Sequence, residues 1–359
     1  MKNFKLIVTT IIILFFIIIA LFFAREENQK KLVNYIYSFD KSEKVFEIVK
    51  SYENEGIQYL NGRFLEWDGE TLKVSDSTKK ELWTKTFLFD NPKMVLNENR
   101  IVIYDELSGV VYLYNGNGET LLEHDFEKPI FNIKVWDQGL IAHLKLEDEE
   151  KILYYNLERD KWEEVSFIDS FPLDYWINNS NNMMYTQMKF EQNQLFSELF
   201  EKLEENTEIR ADLQDEIILK TLPFKQGYII LTDMGIVKVS KGNENITRDY
   251  DLVHDILIDG EEIYILYGDN LEILDRSLET IYKNTYALSY TKLHRHEKYI
   301  LLYGDKSIIA LFNKEDRAEY TFGSGVKDIR SQFNDLIVTL KTGVYTMRIE
   351  NIEPEKMEE

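Results

Sequence analysis

The chain has 359 residues, of which 44% are hydrophobic and 13% aromatic, and none is cysteine. Aromatic and branched residues are too frequent for an intrinsically disordered chain, and without cysteine there is no disulfide, thiol nucleophile or Cys-attached lipid. Asp and Glu number 64 against 42 Lys and Arg, which gives a net charge of −22. Because such a surface repels phosphate, we expect no nucleic-acid partner.

An uncharged and strongly apolar segment lies near the N-terminus, from Leu6 to Ala24. A helix of roughly 19 residues is about 28 Å long, close to the hydrocarbon thickness of a bilayer. A secretory signal peptide has a shorter apolar region and ends in small residues, whereas Phe22 stands where a small residue is required. We therefore predict an uncleaved transmembrane helix over residues 6–24 that contacts the lipid bilayer.

The segments on either side of this helix predict the orientation. Lys and Arg are nearly balanced across it, so the positive-inside count does not decide. Residues 1–5 are a very short leading segment, and residues 25–42 are a polar, helix-prone connector to a large body. This layout is typical of a signal-anchor protein. We predict a single-pass protein of the cell membrane, with residues 1–5 in the cytoplasm and the body outside.

Short runs of Val, Ile, Tyr, Phe and Leu, separated by Asn, Asp and Gly, recur along the body, which is typical of strands and turns. A polar pair precedes the most apolar strand of each unit. The pairs are Asn61-Gly62, Glu98-Asn99, Gln138-Gly139, Asn181-Asn182, Gln226-Gly227, Asp259-Gly260, His296-Glu297 and Asn334-Asp335. Their mean spacing is about 39 residues, near the period of about 40–45 residues for four-stranded propeller blades.

This period predicts an all-β fold, an eight-bladed β-propeller over residues 43–350, followed by an acidic tail over residues 351–359. The last unit is one strand short, and Lys44–Val49 is an unassigned strand that can complete it and close the ring. A seven-bladed ring is the alternative, because the fourth unit is irregular. Its polar stretch Gln187–Arg210 is either an extended hairpin or an inserted helix.

The segment Leu72–Asp76, followed by Glu81-Leu82-Trp83, resembles a repeat of the quinoprotein-like superfamily of β-propellers, and Lys161-Trp162 is similar to its last part. The resemblance implies that Trp83 and Trp162 dock between neighbouring blades. Some members are dehydrogenases that bind pyrroloquinoline quinone and calcium, and others are scaffolds without cofactor. Because paired cysteines and a calcium-ligand cluster are missing, the chain is similar to a non-catalytic, membrane-anchored branch, and we expect no cofactor.

Few residues suggest a metal site. His294 and His296 share one face of a strand, but a third ligand is not evident, and turn or surface positions explain them better. The acidic run Glu147–Glu150 is typical of a solvated hairpin tip. Asn115–Glu119 lacks the glycine and the final glutamate of a calcium loop and is better interpreted as a turn. We predict no metal ligands.

Without a catalytic constellation, the sequence favours a membrane-anchored, extracytoplasmic scaffold that binds a protein or cell-envelope partner and is not an enzyme. Propeller loops present such binding surfaces. The predicted contact residues lie in two loops and are Glu147, Asp148, Asn178, Asn179 and Asn181. Two alternatives remain. One is an enzyme that acts on cell-wall polysaccharide through channel carboxylates, and the other is a ligand-sensing module coupled to the membrane helix.

Overall fold

A computed structural model describes residues 44–52, 57–97, 99–178, 180–203, 206–240, 245–286 and 290–351. The predicted transmembrane helix and connector lie outside the described residues, as do residues 352–359 of the predicted tail. Among the described residues, no helix has the length and apolar character needed to span a membrane.

The described residues form 32 strands. In chain order they are β1 (Lys44–Tyr52), β2 (Ile57–Leu60), β3 (Arg63–Trp67), β4 (Thr71–Ser75), β5 (Glu81–Thr86), β6 (Pro92–Leu96), β7 (Arg100–Asp105), β8 (Val110–Asn115), β9 (Thr120–Asp125), β10 (Ile130–Trp136), β11 (Gly139–Lys145), β12 (Glu150–Asn156), β13 (Lys161–Phe167), β14 (Ser170–Ile177), β15 (Met183–Glu191), β16 (Gln194–Lys202), β17 (Thr207–Gln214), β18 (Ile218–Phe224), β19 (Gly227–Thr232), β20 (Gly235–Ser240), β21 (Ile246–Asp249), β22 (Val253–Asp259), β23 (Glu262–Tyr267), β24 (Asn270–Leu274), β25 (Thr280–Thr285), β26 (Tyr290–His296), β27 (Tyr299–Gly304), β28 (Ser307–Phe312), β29 (Glu315–Thr321), β30 (Val326–Gln332), β31 (Asp335–Leu340) and β32 (Gly343–Asn351).

These strands form eight antiparallel four-stranded sheets, the blades of a propeller. Blades 1 to 7 each take four consecutive strands, from β2–β5 to β26–β29, and we label the strands of a blade a to d in sheet order. Neighbouring blades meet through their a strands, as β22 meets β26 and β26 meets β30, so the a strands are innermost. The predicted eight-bladed, all-β fold is confirmed, and the seven-bladed alternative is wrong.

Blade 8 joins the two ends of the described chain. Its order is β30, β31, β32 and then β1 as the outer strand. Lys44 pairs with Asn351 and Tyr52 with Val344. Phe46 of β1 is 3% exposed and belongs to the apolar cluster between blades 7 and 8. The predicted closing strand therefore forms, and it covers the outer edge of the last blade.

The core is divided among the interfaces between blades. Eight apolar clusters of the described residues each join two neighbouring blades. Ile57 and Phe64 of blade 1, for example, pack with Val344 of blade 8. Both faces of each sheet are thus buried, which explains why b strands such as β7 and β19 are nearly continuous apolar runs.

Two residues of the polar pairs, Asn61 and Asn99, also connect blades. Asn61 and Gly62 have φ angles of 51° and 83°, in the region that Asn and Gly adopt most readily. Gln332 of blade 8 donates a hydrogen bond to Asn61 Oδ1 at 2.8 Å, and Asn61 Nδ2 donates to Asn99 Oδ1 at 2.9 Å. Asn99 Nδ2 in turn donates to Asp137 Oδ2 at 2.9 Å. This chain of hydrogen bonds connects blades 8, 1, 2 and 3 across the ring closure.

The irregular fourth unit is a complete blade with a long hairpin. Strands β15 and β16 pair from Met183 with Lys202 to Glu191 with Gln194. The rings of Tyr185 and Phe200 stack across the pair at 5.0 Å. The extended-hairpin interpretation of this stretch is therefore correct, and the inserted helix is wrong.

Candidate functional site

Strand direction defines two ends of the ring. Because successive strands are antiparallel, the a-to-b and c-to-d connections lie at one end of the ring. The b-to-c connections lie at the other end, together with the links from each d strand to the a strand of the next blade. We call these ends the a–b end and the b–c end. Lys44 begins β1 opposite Asn351 of the last strand. The described chain therefore begins and ends at the a–b end.

Exposed apolar side chains concentrate at the b–c end. They come from blades 2 to 5 and from the connections that lead into blades 2, 4 and 6. We call them the apolar arc: Leu88, Leu107, Phe131, Ile168, Phe171, Phe190, Leu219, Met234 and Leu252. Leu88 is 98% exposed and Ile168 is 73% exposed. The other exposed large apolar side chains lie on outer strands, as those of Val45, Leu82, Ile209, Ile246 and Ile281 do, or at the a–b end, as that of Phe333 does. Single exposed apolar residues are normal, but a concentration on one face marks an interaction surface.

Acidic side chains accompany the apolar arc. The connections at the b–c end, from the link into blade 2 to the link into blade 6, carry eight exposed acids and one exposed lysine, Lys128. The acids are Asp90, Glu127, Glu147, Asp148, Asp169, Asp215, Asp233 and Asp251. Two lysines at this end are already engaged with carboxylates, Lys93 at 3.6 Å from Glu106 and Lys145 at 3.5 Å from Glu150. The surface around the arc is therefore negatively charged, and it carries part of the excess negative charge of the sequence.

A buried carboxylate holds the first two members of the arc in place. Asp105, at the end of β7, is 2% exposed and accepts hydrogen bonds from the N–H of Asn91 at 3.0 Å and of Leu107 at 3.2 Å. The Ser108 hydroxyl donates to it at 2.9 Å. Burial raises the pKa of Asp105, but these hydrogen bonds outweigh burial and leave the pKa below its usual value. The connections that carry Leu88 and Leu107 are thus fixed to one ionised group.

The structure separates the two predicted contact loops. Glu147 and Asp148 lie between β11 and β12, are exposed, and belong to the b–c end beside the apolar arc. Asn178 and Asn181 lie between β14 and β15, at the a–b end. Asn179 lies outside the described residues. A single flat partner surface cannot contact both loops, because they are at opposite ends of the ring.

The a-to-b connection of blade 4 is held by Glu201. The side-chain amides of Asn178 and Asn182 each donate to Glu201 Oε1 at 2.8 Å, and Arg210 Nε donates to its other oxygen at 2.8 Å. Burial raises the pKa of Glu201, but the hydrogen bonds from Asn182, Arg210 and Asn178 lower it more, so the pKa lies below its usual value. Glu201 is therefore a carboxylate that fixes this loop from beneath.

The two tryptophans predicted to dock both contact blade 2. Trp83 of β5 donates from Nε1 to the backbone oxygen of Gly116 at 3.2 Å. The Trp162 ring of β13 has its centroid 4.8 Å from that of His124 and 5.2 Å from that of Phe126. Trp83 thus reaches blade 2 from blade 1, and Trp162 reaches it from blade 3.

The histidine pair on β26 connects blades 7 and 8. His294 Nε2 and His296 Nδ1 each lie 2.9 Å from the hydroxyl oxygen of Ser331, which donates to the Arg295 backbone oxygen at 3.1 Å. Burial lowers the pKa of both histidines. In the part of the chain that the structure describes, no group of three His, Asp or Glu side chains is arranged to hold a metal ion.

The pKa values of the carboxyl groups bear on the polysaccharide-enzyme alternative. Six carboxyl groups of the described residues have a shifted pKa, and each shift is downward. They are Asp68, Asp76, Asp105, Glu164, Glu201 and Glu272. The general acid of glycoside hydrolysis needs a raised pKa. These six groups therefore suit structural roles better than that of the acid.

Sequence reasoning missed the apolar arc, although the sequence carried a usable signal. Strands of a blade alternate in direction, so every second connection along the chain belongs to the same end of the ring. Grouping the connections in this way would have placed Leu88, Leu107 and Ile168 together, and would have separated Glu147 from Asn178. The accessibility of those side chains still required the structure.

Solved structures share this fold at very low sequence identity. BamB from Moraxella catarrhalis is 9% identical with a TM-score of 0.58, and the match covers 86% of this chain and 99% of that one. Sqt1 from Saccharomyces cerevisiae is 12% identical with a TM-score of 0.55, and again 86% and 99% of the chains are covered. At this identity the likeness shows the β-propeller fold alone.

No curated protein matches this chain. Residues 34–349 match a family of proteins described as a family of unknown function, DUF5711. The match includes all eight blades and begins ten residues before β1. The chain therefore belongs to the family of unknown function DUF5711, and its described residues form an eight-bladed β-propeller.

Proposed function

We propose that this protein is a membrane-anchored, extracytoplasmic scaffold that binds a protein partner through the apolar arc and performs no catalysis. The observation that carries the proposal is the group of nine exposed large apolar side chains at the b–c end of the ring, among them Leu88 and Ile168. A rigid ring presents these connections as one surface, so a partner can contact several of them without ordering them first.

The charge around the arc indicates the kind of partner. Apolar side chains at the centre of an interface and charged ones at its rim are typical of protein–protein contacts. Exposed acids such as Asp169 and Asp251 lie next to Ile168 and Leu252 in the chain. They favour a partner that surrounds its own apolar side chains with Lys and Arg, and they disfavour an anionic lipid surface.

The position of the predicted anchor agrees with this use of the surface. Residues 6–24 precede β1, and β1 begins at the a–b end with Lys44. A chain that leaves a bilayer and enters the ring at the a–b end leaves the b–c end free to face away from the membrane. The apolar arc is then accessible to a partner in the extracytoplasmic space.

Site-specific photocross-linking tests the binding surface. A photoreactive phenylalanine derivative replaces Ile168 of the full-length chain in native membranes, and the matched control carries it at Phe333, which is 87% exposed at the opposite end. We expect one discrete protein adduct from position 168 and none from 333. With the photoreactive residue at Leu107 instead, we expect an adduct with the same protein. Loss of this second adduct when Ile168→Asp is added would show that the arc itself binds. Equal adducts at both ends, or adducts with lipid only, would contradict the proposal.

The proposed location has its own test. Protease added outside intact cells should cut the body, and deletion of residues 6–24 should release the chain from the membrane fraction. Protection of the body in intact cells, with cleavage after lysis, would place the scaffold on the other side and overturn this part of the proposal.

A further inference from the structure

The outer strand of blade 3 differs in register from the other outer strands of the described ring. In blades 1, 2, 4, 6, 7 and 8 the outer strand carries one extra residue relative to its partner, which is a β-bulge. The outer strand of blade 5, β21, has only four residues. In blade 3, β13 pairs with β12 over seven consecutive residues, Lys161–Phe167, without a bulge. Bulges and short strands protect a sheet edge from pairing with another strand, and among the described outer strands β13 alone lacks both.

Three residues of β13 direct their backbone groups to the outer edge of the blade. The N–H of Leu146 donates to the backbone oxygen of Glu149 at 2.9 Å, which makes them a hydrogen-bonded pair. Bonded and non-bonded pairs alternate along an antiparallel ladder, and the registers of β11, β12 and β13 carry this alternation outward. The N–H and C=O groups of Trp162, Glu164 and Ser166 therefore point away from β12. No described strand pairs with this edge.

The charge at this edge selects the kind of strand that can pair with it. Glu164 is exposed, and its carboxylate lies 2.8 Å from Lys151 Nζ. Lys151 also contacts Glu149 at 3.3 Å, so one cation faces two carboxylates. Opposite charges on directly opposed strand residues stabilise a pair, and like charges destabilise it. An incoming strand is therefore favoured when Lys or Arg lies opposite Glu164.

The edge of β13 leads directly into the apolar arc. β13 runs toward the b–c end and ends at Phe167, and the next residue, Ile168, is 73% exposed. An extended segment that pairs with β13 in the antiparallel direction starts at the b–c end, where its first residues reach Ile168. The edge and the arc thus form one continuous surface.

A second copy of this chain fits the edge less well than a different protein. Each copy has a net charge of −22, so two copies repel each other. Two β13 strands that pair about a twofold axis are antiparallel. The a–b ends of the two rings, and with them the predicted anchors, would then face in opposite directions and could not enter one membrane.

We propose that β13 binds an extended segment of the protein partner as a fifth strand of blade 3, with Lys or Arg opposite Glu164 and an apolar side chain against Ile168. The outward groups of Trp162, Glu164 and Ser166 provide about six backbone hydrogen bonds, as in other complexes formed by strand addition. This inference rests on the proposed function, because it names the segment by which the partner of the apolar arc is bound.

Peptide selection on the full-length chain in detergent micelles tests the inference. The probe is a phage-displayed library of random linear peptides, and enriched peptides are titrated by fluorescence anisotropy. Glu164→Pro removes an outward N–H and keeps the bonds to β12, as proline does in edge strands. Glu123→Pro is the matched control. Glu123 is also exposed, and its backbone groups point outward from β9, because Phe126 N–H bonds to the Gly109 backbone oxygen at 3.1 Å, but β9 carries a bulge.

We expect Glu164→Pro to weaken peptide binding at least about tenfold, and Glu123→Pro to leave binding unchanged, while the two chains have similar thermal midpoints. N-methylation of alternate peptide residues should weaken binding, whereas N-methylation of the residues between them should not, because only every second residue of a strand faces β13. Equal binding by the Glu164→Pro chain would overturn the inference. Loss of affinity without this alternation would overturn it as well, and so would a library from which no peptide is enriched.

Cross-linking from position 168 separates this inference from the proposed function. If the Glu164→Pro chain forms the same protein adduct with undiminished yield, the scaffold stands and strand addition falls. If the unmodified chain forms no adduct but peptides bind in a way that Glu164→Pro abolishes, the apolar arc falls and strand addition stands. A dimer in analytical ultracentrifugation that Glu164→Pro converts to a monomer would assign the edge to a second copy and overturn the inference.

Discussion

Lys220 Nζ lies 2.6 Å from Asp255 Oδ1 and joins the inner strands of blades 5 and 6. The other oxygen of the Asp255 carboxylate accepts the backbone N–H of Leu293 in blade 7 at 2.9 Å. Lys134 and Asp174 form the same kind of contact between blades 3 and 4. Charged pairs on the inner strands therefore add to the apolar clusters in connecting neighbouring blades.

Replacement of the cation in this pair should destabilise the ring. Lys220→Met leaves the buried Asp255 carboxylate without its cation, and we expect a loss of about 1–3 kcal/mol in the free energy of unfolding, reduced by the partial exposure of Lys220. Urea unfolding followed by tryptophan fluorescence measures it. Lys93→Met is the control, because its partner Glu106 is 34% exposed, against 9% for Asp255, and lies 3.6 Å away. Equal effects of the two substitutions would contradict this account.

Closure of the ring by the first strand gives a second prediction. Phe46→Ala empties a buried site, and we expect a loss of about 3–5 kcal/mol in the free energy of unfolding. The same truncation at the neighbouring Val45, which is 42% exposed, should cost less than about 1 kcal/mol. Differential scanning calorimetry of both chains checks the difference. If Phe46→Ala unfolds like the unmodified chain, β1 does not close the blade as described.

Asp105 should make the free energy of unfolding depend on pH in the acidic range. Its pKa is lowered in the folded state, so its contribution is complete above the unfolded value of about 4 and is lost as the pH falls through the folded value. Asp105→Asn should therefore lower the free energy of unfolding by about 1–3 kcal/mol at neutral pH. The gap in this free energy between the variant and the unmodified chain should narrow as the pH falls below about 4. Asp169→Asn, at the same end but exposed, is the control. A gap that stays constant down to low pH would refute the assignment.

His294 and His296 predict a pH dependence in a higher range. Their pKa values are lowered by burial, so below about pH 6.5 the unfolded chain takes up more protons and the folded chain loses stability. Stability should be greatest above about pH 6.5 and fall toward about pH 5.5. The double substitution His294→Gln and His296→Gln should reduce this slope, and the remainder comes from His124 and His143, whose pKa values burial also lowers. Chemical denaturation across this pH range measures the slope, and an unchanged slope in the double variant would disprove the prediction.

Much of the fold could be predicted from the sequence because its signals are local. The polar pairs such as Asn61-Gly62 mark turns, and their spacing sets the number of four-stranded units. The closing role of Lys44–Val49 followed from a strand missing at the other end. The stretch Gln187–Arg210 stayed ambiguous, because a polar segment without a clear period fits an exposed hairpin as well as a helix.

Amino-acid order alone thus determined the strand period and the apolar segment at residues 6–24, since each depends on neighbours in the chain, whereas the structure decided between seven and eight blades. Only the tertiary structure decided that Ile168 is exposed while Phe167 is buried, and that Ser331 meets two histidines more than thirty residues earlier in the chain. It also decided that Lys220 of blade 5 meets Asp255 of blade 6. The reason is that these properties depend on how the faces of adjacent sheets fit together, and that fit depends on side chains far apart in the sequence.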